Sequence, residues 1–259
     1  RRTVAFLGGM LALAFALISG IARYDTTLFS VHMVQHVLLM LVAAPLLALS
    51  APVTLLLRLS SSETRRRWLL PILHSRVVLF IAHPVTAWVM FAAMMWGTHF
   101  SPLFNASLED PAIHDIEHAI FLTGALLFWW PAVALDPAPW RMGHPARIGY
   151  IFTQMTQNTF LAVVILNATA VLYPHYATLV RTWGMSAIDD QRLAAGIMWL
   201  AGDAVFLTAI MAVVAGWMRA EERSTARSDR RADEELVEIR LRERRLAERL
   251  GEERGEPGR

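Results

Sequence analysis

The chain has 259 residues, 55% of them hydrophobic, a formal net charge of +2 and no cysteine. Soluble domains are about 45–50% apolar, so a mean hydropathy of +0.41 excludes an ordinary water-soluble fold and makes the bilayer the solvent. The lack of cysteine excludes disulfides, thiolate metal sites and thiol redox chemistry, and leaves His and Met as ligands for any soft metal.

A hydrocarbon core of about 30 Å needs about 20 helical residues to cross it. Six stretches of suitable length lack Arg and Glu: 4–22, 31–57, 77–100, 119–135, 148–176 and 193–218, the last interrupted by Asp203. They predict an all-α fold, a polytopic transmembrane helix bundle of about six spans over residues 1–218. The first span is too long for the apolar region of a signal peptide and has no small-residue cleavage site after it. The opening Arg1-Arg2 is read as the start of a processed or trimmed chain. Pro45, Pro52 and Pro84 are expected to kink or start helices, with Pro84 at a first turn.

Arginine near a span is retained on the cytoplasmic side. The loop after the second span carries Arg58, Arg65, Arg66, Arg67 and Arg76, and the loop after the fourth carries Arg141 and Arg147. Between them lie segments with Arg23 and Asp25, with Glu109, Asp110, Asp115 and Glu117, and with Arg181, Asp189, Asp190 and Arg192. This alternation places the first set inside, the second outside, and both termini in the cytoplasm. Residues 219–259 hold twelve Arg and twelve acidic residues, a charged cytoplasmic tail. Leu236, Ile239, Leu246 and Leu250 recur at helical spacing there, so a charged helix or coiled coil competes with a solvated, partly disordered tail ending in Gly-Glu-Pro-Gly. With basic residues explained by topology and by a balanced tail, nothing points to nucleic acid.

On this topology the histidines gather outside. His32 and His36 open the second span, His99 closes the third, His114 and His118 open the fourth, and His175 follows the fifth. Two pairs have i, i+4 spacing, which puts two imidazoles on one helix face. Neutral imidazole is a common ligand for copper, zinc and iron, and thioether beside it favours copper. Met33 and Met40 share the first histidine helix and Met95 stands one turn before His99. Asp110, Asp115 and Glu117 are placed to orient imidazole N–H groups. The metal candidates are therefore His32, His36, His99, His114 and His118, with Met33, Met40, Met95, Asp110, Glu117 and Asp203 in support. His74, His144 and His175 read as interfacial hydrogen-bonders. Asp203, midway along the last span, needs a partner or a proton, as a structural acid or in proton movement. Gln35, Gln154, Gln157, Asn158 and Asn167 are expected to hydrogen-bond between helices.

The same histidines fit rival readings: a haem or quinone oxidoreductase, a di-iron oxygenase, a metal transporter, or a scaffold in which they only donate hydrogen bonds. Haem ligation asks for histidines on facing interior helices, and histidine boxes of the di-iron kind are expected on the cytoplasmic side.

His32-Met33-Val34-Gln35-His36, with Pro45 and Ala51-Pro52-Val53-Thr54 after it, resembles the signature of the CtaG family of caa3-type cytochrome c oxidase assembly factors. His83-Pro84, Ala87-Trp88, Asp110-Pro111, His114, Glu117-His118, Phe128-Trp129-Trp130-Pro131 and Asp136-Pro137 are similar to successive blocks of that family. So are Asp190-Gln191, Ala195-Gly196, Met198-Trp199 and Gly202-Asp203, and the resemblance covers roughly residues 30–205. It implies a multi-span protein of a bacterial plasma membrane, not an enzyme, that helps make an active haem-copper oxidase. It implies copper as a transient cargo, with oxidase subunits and an extracytoplasmic copper chaperone as partners. It also implies a seventh span before the six read here.

Overall fold

Residues 1–138, 140–180 and 183–253 are described in this computed structural model, without the side chains of 248 and 250–253. Arg181, the Leu250 side chain and the Gly-Glu-Pro-Gly end therefore lie outside the described residues. Every regular element among the described residues is helical. Those that carry the bundle are α1 (Arg2–Ile18), α2 (Phe29–Val37), α3 (Ala44–Ser50), α4 (Pro84–His99), α5 (Pro102–Glu109), α6 (Pro111–Val133), α7 (His144–Leu166) and α8 (Ala187–Glu253), with Pro52–Leu59 among the helices between α3 and α4. The chain divides into two compact units, Arg1–Met211 and Ala212–Arg259.

Among the described residues four helical stretches are long and apolar enough to cross a membrane: Arg2–Tyr24, Phe29–Leu59, Pro111–Val133 and Ala187–Ala247. The other two expected spans fall short for different reasons. His83-Pro84 breaks the third into Arg76–Ile81 and α4, where the His83 ring accepts from the Val85 N–H and Pro84 takes the first turn. The 16 residues of α4 rise only about 24 Å at 1.5 Å each. The fifth ends at Leu166 rather than near Tyr176, and Gln154, Gln157 and Asn158 lower its apolarity. Conversely, the fourth starts earlier than expected, at Pro111, because the Asp110 carboxylate caps it by accepting from Ala112 and Ile113 N–H. His114 and His118 thus belong to its first two turns.

Val4, Leu7, Leu11, Phe15 and Ile18 of the first helix are apolar and exposed, while His32, Gln35, His36, Gln154 and Asn158 are buried. Apolar outside and polar inside is what a lipid solvent selects. Helix α1 packs on α3, and α6 packs on α3, α4 and α5. Gly9 sets the first contact: a Cβ there would lie 2.9 Å from the Leu47 side chain, the close approach small residues permit between membrane helices.

The stretch between α2 and α3, Leu38–Ala43, is π-helical. Pro45 accounts for part of this, since it has no N–H to return to the preceding turn. The Ala44 N–H reaches back to Leu39 O, and the Met40 carbonyl, which Pro45 cannot serve, accepts instead from the Trp129 indole at 2.9 Å. After α3 the chain turns at Ala51, in the left-handed region at φ 56°, a conformation that costs an L-residue about 1–2 kcal/mol. Asp136 offsets that cost by accepting from Val53 N–H at 3.1 Å, Thr54 N–H at 2.7 Å and the Thr54 hydroxyl at 2.6 Å. Arg147 closes the other end of α6, donating to Ala132 O at 2.7 Å and Val133 O at 3.1 Å.

The second unit is helical through residue 253. Its segment has no Pro or Gly between Trp217 and Leu250 and is rich in Ala, Arg, Glu and Leu, the residues with the highest helix propensity.

Candidate metal centre

Helix α2 carries His32 and His36 because Asp190, at the start of α8, fixes where it begins. The Asp190 carboxylate accepts from Phe29 N–H at 2.8 Å, Ser30 N–H at 3.3 Å and the Ser30 hydroxyl at 2.5 Å. It therefore acts as an N-terminal cap supplied from 160 residues away and complements the positive end of the helix dipole. Asp110 does the same for α6 locally, which phases His114, Glu117 and His118 along its first turns.

The two histidine pairs meet across the α2–α6 contact. Ring centroids are 4.2 Å apart within each pair, His32–His36 and His114–His118, and 5.3 Å and 5.7 Å across them, for His32–His114 and His36–His118. Phe104 and Phe121 wall the cluster, at 5.0 Å from His32 and 4.6 Å from His36. One ligand atom each from His32, His36, His114 and Glu117 lie within 4.8 Å of one another, and all four residues are buried. A tetrahedral ion with ligands at about 2.1 Å holds them about 3.4 Å apart, so this quartet needs only a small contraction to bind one.

Hydrogen bonding reinforces the point. Both ring nitrogens of His32 and His36, Nε2 of His114 and Oε2 of Glu117 are buried with no hydrogen-bond partner in the protein. Such atoms cost about 1–3 kcal/mol each when left unpaired; each neutral imidazole has one N–H and one lone pair, and a cation is a ligand that suits those lone pairs together with a carboxylate. His118 is held differently. Gln35 donates its amide N–H to Ala16 O at 3.1 Å, which turns its Oε1 toward His118 Nε2 at 3.1 Å. That nitrogen therefore carries the proton and the imidazole is oriented beside the quartet. His99 donates from Nδ1 to Met95 O at 2.7 Å, leaving Nε2 buried and unpartnered. It lies outside the quartet. Between the first two spans, burial pushes the Asp25 carboxyl above its ordinary value, and nearby His114 and the Thr26 N–H pull against that shift.

The supporting candidates separate. Glu117 joins the quartet itself. Met33, Met40 and Met95 line a neighbouring cavity together with Met198, His36 and His99. Asp110 is exposed and spends its carboxylate on capping. Asp203 is away from the histidines, accepting from the Thr159 hydroxyl at 2.8 Å and the Trp199 indole at 2.9 Å. His175 anchors the Pro174–Thr178 helix, with Nε2 2.8 Å from Thr26 O and its backbone N–H on Asn105. Gln157 accepts from the Trp96 indole, Asn158 donates to Met198 O, and His74 bonds Leu70 O. The Asp190 clamp and the place of Met198 are site features that the sequence does not single out: both lie in the segment that resembles the family, but spacing alone cannot reach across 160 residues.

Fold and site together define an all-helical membrane protein with a buried cluster of side chains that could hold a metal ion between its helices. Residues 1–220 match the sequence profile of the cytochrome c oxidase caa3 assembly factor family, and the chain belongs to that family. It is 34% identical to an uncharacterized protein of Mycobacterium bovis over 247 residues, 93% of this chain and 37% of that protein. It is likewise 34% identical to an uncharacterized protein of Mycobacterium leprae over 236 residues, 88% of this chain and 36% of that one. The chain thus spans little more than a third of the length of these curated relatives. No solved structure matches it.

Proposed function

We propose that this protein serves cytochrome c oxidase assembly as a copper carrier, binding the ion at His32, His36, His114 and Glu117 and releasing it to a nascent oxidase subunit. The observation that carries this reading is the concentration of unpartnered, buried imidazole nitrogens around one carboxylate. A scaffold whose histidines only hydrogen-bond would use those atoms up. Six spans in a bacterial plasma membrane, with the Arg-rich loops and the tail in the cytoplasm, would set the quartet toward the extracytoplasmic side, where a copper chaperone can reach it. Lipid faces the apolar outer surface, and no catalytic turnover is needed. His118, oriented by Gln35, supports the quartet and offers an alternative ligand during release, as exchangeable coordination requires.

The test is copper binding by the purified full-length protein in detergent, in both oxidation states, beside a variant with His32→Leu, His114→Leu and Glu117→Gln. Near-stoichiometric Cu(II) binding that weakens by about a hundredfold in the variant is the expected result. Equal binding in both proteins, or none in either, overturns the reading.

A further inference from the structure

The cavity beside the quartet has its own chemistry. Met33, Met40, Met95 and Met198 line it with His36 and His99. The four thioethers come from three parts of the chain: α2 and its π stretch, α4 and α8. All four methionines are buried. Methionine ordinarily fills gaps in apolar cores, but these leave a space of about 20 Å³ among them, about what one small sphere occupies. The Asn158 amide that also borders the space is already bonded to Met198 O. What remains is thioether sulfur and the unpartnered nitrogens of His36 and His99, a donor set that selects a soft monovalent ion over a hard divalent one.

His99 also lines a second, wider pocket with Ser101, Asn105, Glu109 and Tyr173. It is thus shared by the outer pocket and the thioether cavity, as His36 is shared by the cavity and the quartet. The Met95 carbonyl fixes the His99 tautomer with Nε2 as the free lone pair.

We infer that the cavity is a second metal position, a thioether site for Cu(I) with His99 as its entry ligand from the outer pocket and His36 as the residue that connects it to the quartet. This deepens the copper-carrier reading and rests on it only for the physiological source of the ion. The quartet, with nitrogen and carboxylate donors, takes Cu(II) or Zn(II); the cavity takes Cu(I).

The experiment is copper X-ray absorption on full-length protein loaded with Cu(I) under reducing conditions, with selenomethionine-labelled protein alongside. Sulfur scattering in the unlabelled protein that becomes selenium scattering in the labelled one is expected, and needs no substitution that could disturb folding. A variant with Met33→Leu, Met40→Leu, Met95→Leu and Met198→Leu, which conserves volume, should lose the sulfur shell and about tenfold or more in Cu(I) affinity while Cu(II) and Zn(II) binding stay within about threefold. A Cu(I) spectrum with nitrogen and oxygen neighbours alone, unchanged by selenium, overturns the inference and leaves the carrier reading intact. If sulfur-ligated Cu(I) persists while the triple quartet variant binds Cu(II) as tightly as the parent, the carrier reading fails and the thioether site stands.

Discussion

Two kinds of buried polar side chain occupy the helical body, and they differ in whether their atoms are used. Asp190 and Asp136 each accept three hydrogen bonds and hold the first turns of α2 and of Pro52–Leu59. The His32, His36, His114 and Glu117 quartet is as deeply buried, yet five of its ring nitrogens and one carboxylate oxygen have no partner in the protein. Inside a membrane, water is not there to satisfy a polar group. A satisfied cluster is therefore spent on architecture, while an unsatisfied one has atoms to offer a ligand. Asp203, half-buried, is like the first kind in that Thr159 and Trp199 donate to its two oxygens.

The comparison breaks most visibly at Asp190. Replacing it with Ala removes three donors' acceptor at once and leaves the Phe29 and Ser30 N–H groups bare, at a cost of about 3 kcal/mol. Thermal unfolding in detergent should fall sharply, and copper affinity with it, because the register of His32 and His36 depends on the clamp. A variant that unfolds normally would show that α2 is held by packing alone. The opposite behaviour is expected at the quartet. Exchanging His32 and His114 for Leu removes three buried ring nitrogens that have no partner in the protein, so the stability of the metal-free protein should hold or rise while metal binding is lost. A large loss of stability in metal-free protein would move the quartet into the architectural class.

Trp129 sharpens the contrast at intermediate size. Its indole serves the Met40 carbonyl that Pro45 strands, so Trp129→Phe should cost about 1 kcal/mol, the scale of interhelical hydrogen bonds in membranes, beyond the small change in packing. The pairing of Trp129→Phe with Pro45→Ala tests the cause: restoring an N–H at residue 45 should recover part of the loss, and strict additivity would sever the link.

Much of this was legible beforehand because membrane spans and i, i+4 pairs are local patterns. The apolar stretches located the helices, and the two histidine pairs named the rings that meet, since each pair lies within one turn of one helix. What local pattern could not carry was everything set by distant pairing. Nothing around Asp190 says that it caps a helix 160 residues earlier, and nothing in the spacing of Glu117 separates a ligand from an orienting acid. His83-Pro84 and Asn167 shortened two expected spans because apolar composition runs through positions where the backbone stops. Asp110 differs in the other direction: its place beside two histidines suggests an acid that orients imidazole N–H groups, and its geometry is that of a cap.

That last residue gives the smallest and cleanest test. Asp110 is exposed, and its Oδ1 accepts from Ala112 N–H at 2.8 Å and Ile113 N–H at 3.4 Å. Asp110→Ala should therefore cost about 1 kcal/mol, the usual value of an N-cap, and Asp110→Asn or Asp110→Ser should restore most of it, since a neutral oxygen caps nearly as well. Copper affinity should be the same in all three variants once they are folded, because the carboxylate's charge has no task at the imidazoles. Should Asn restore stability but leave copper affinity reduced, the charge itself would matter to the centre, and Asp110 would belong with Glu117 among the residues that hold or attract the ion.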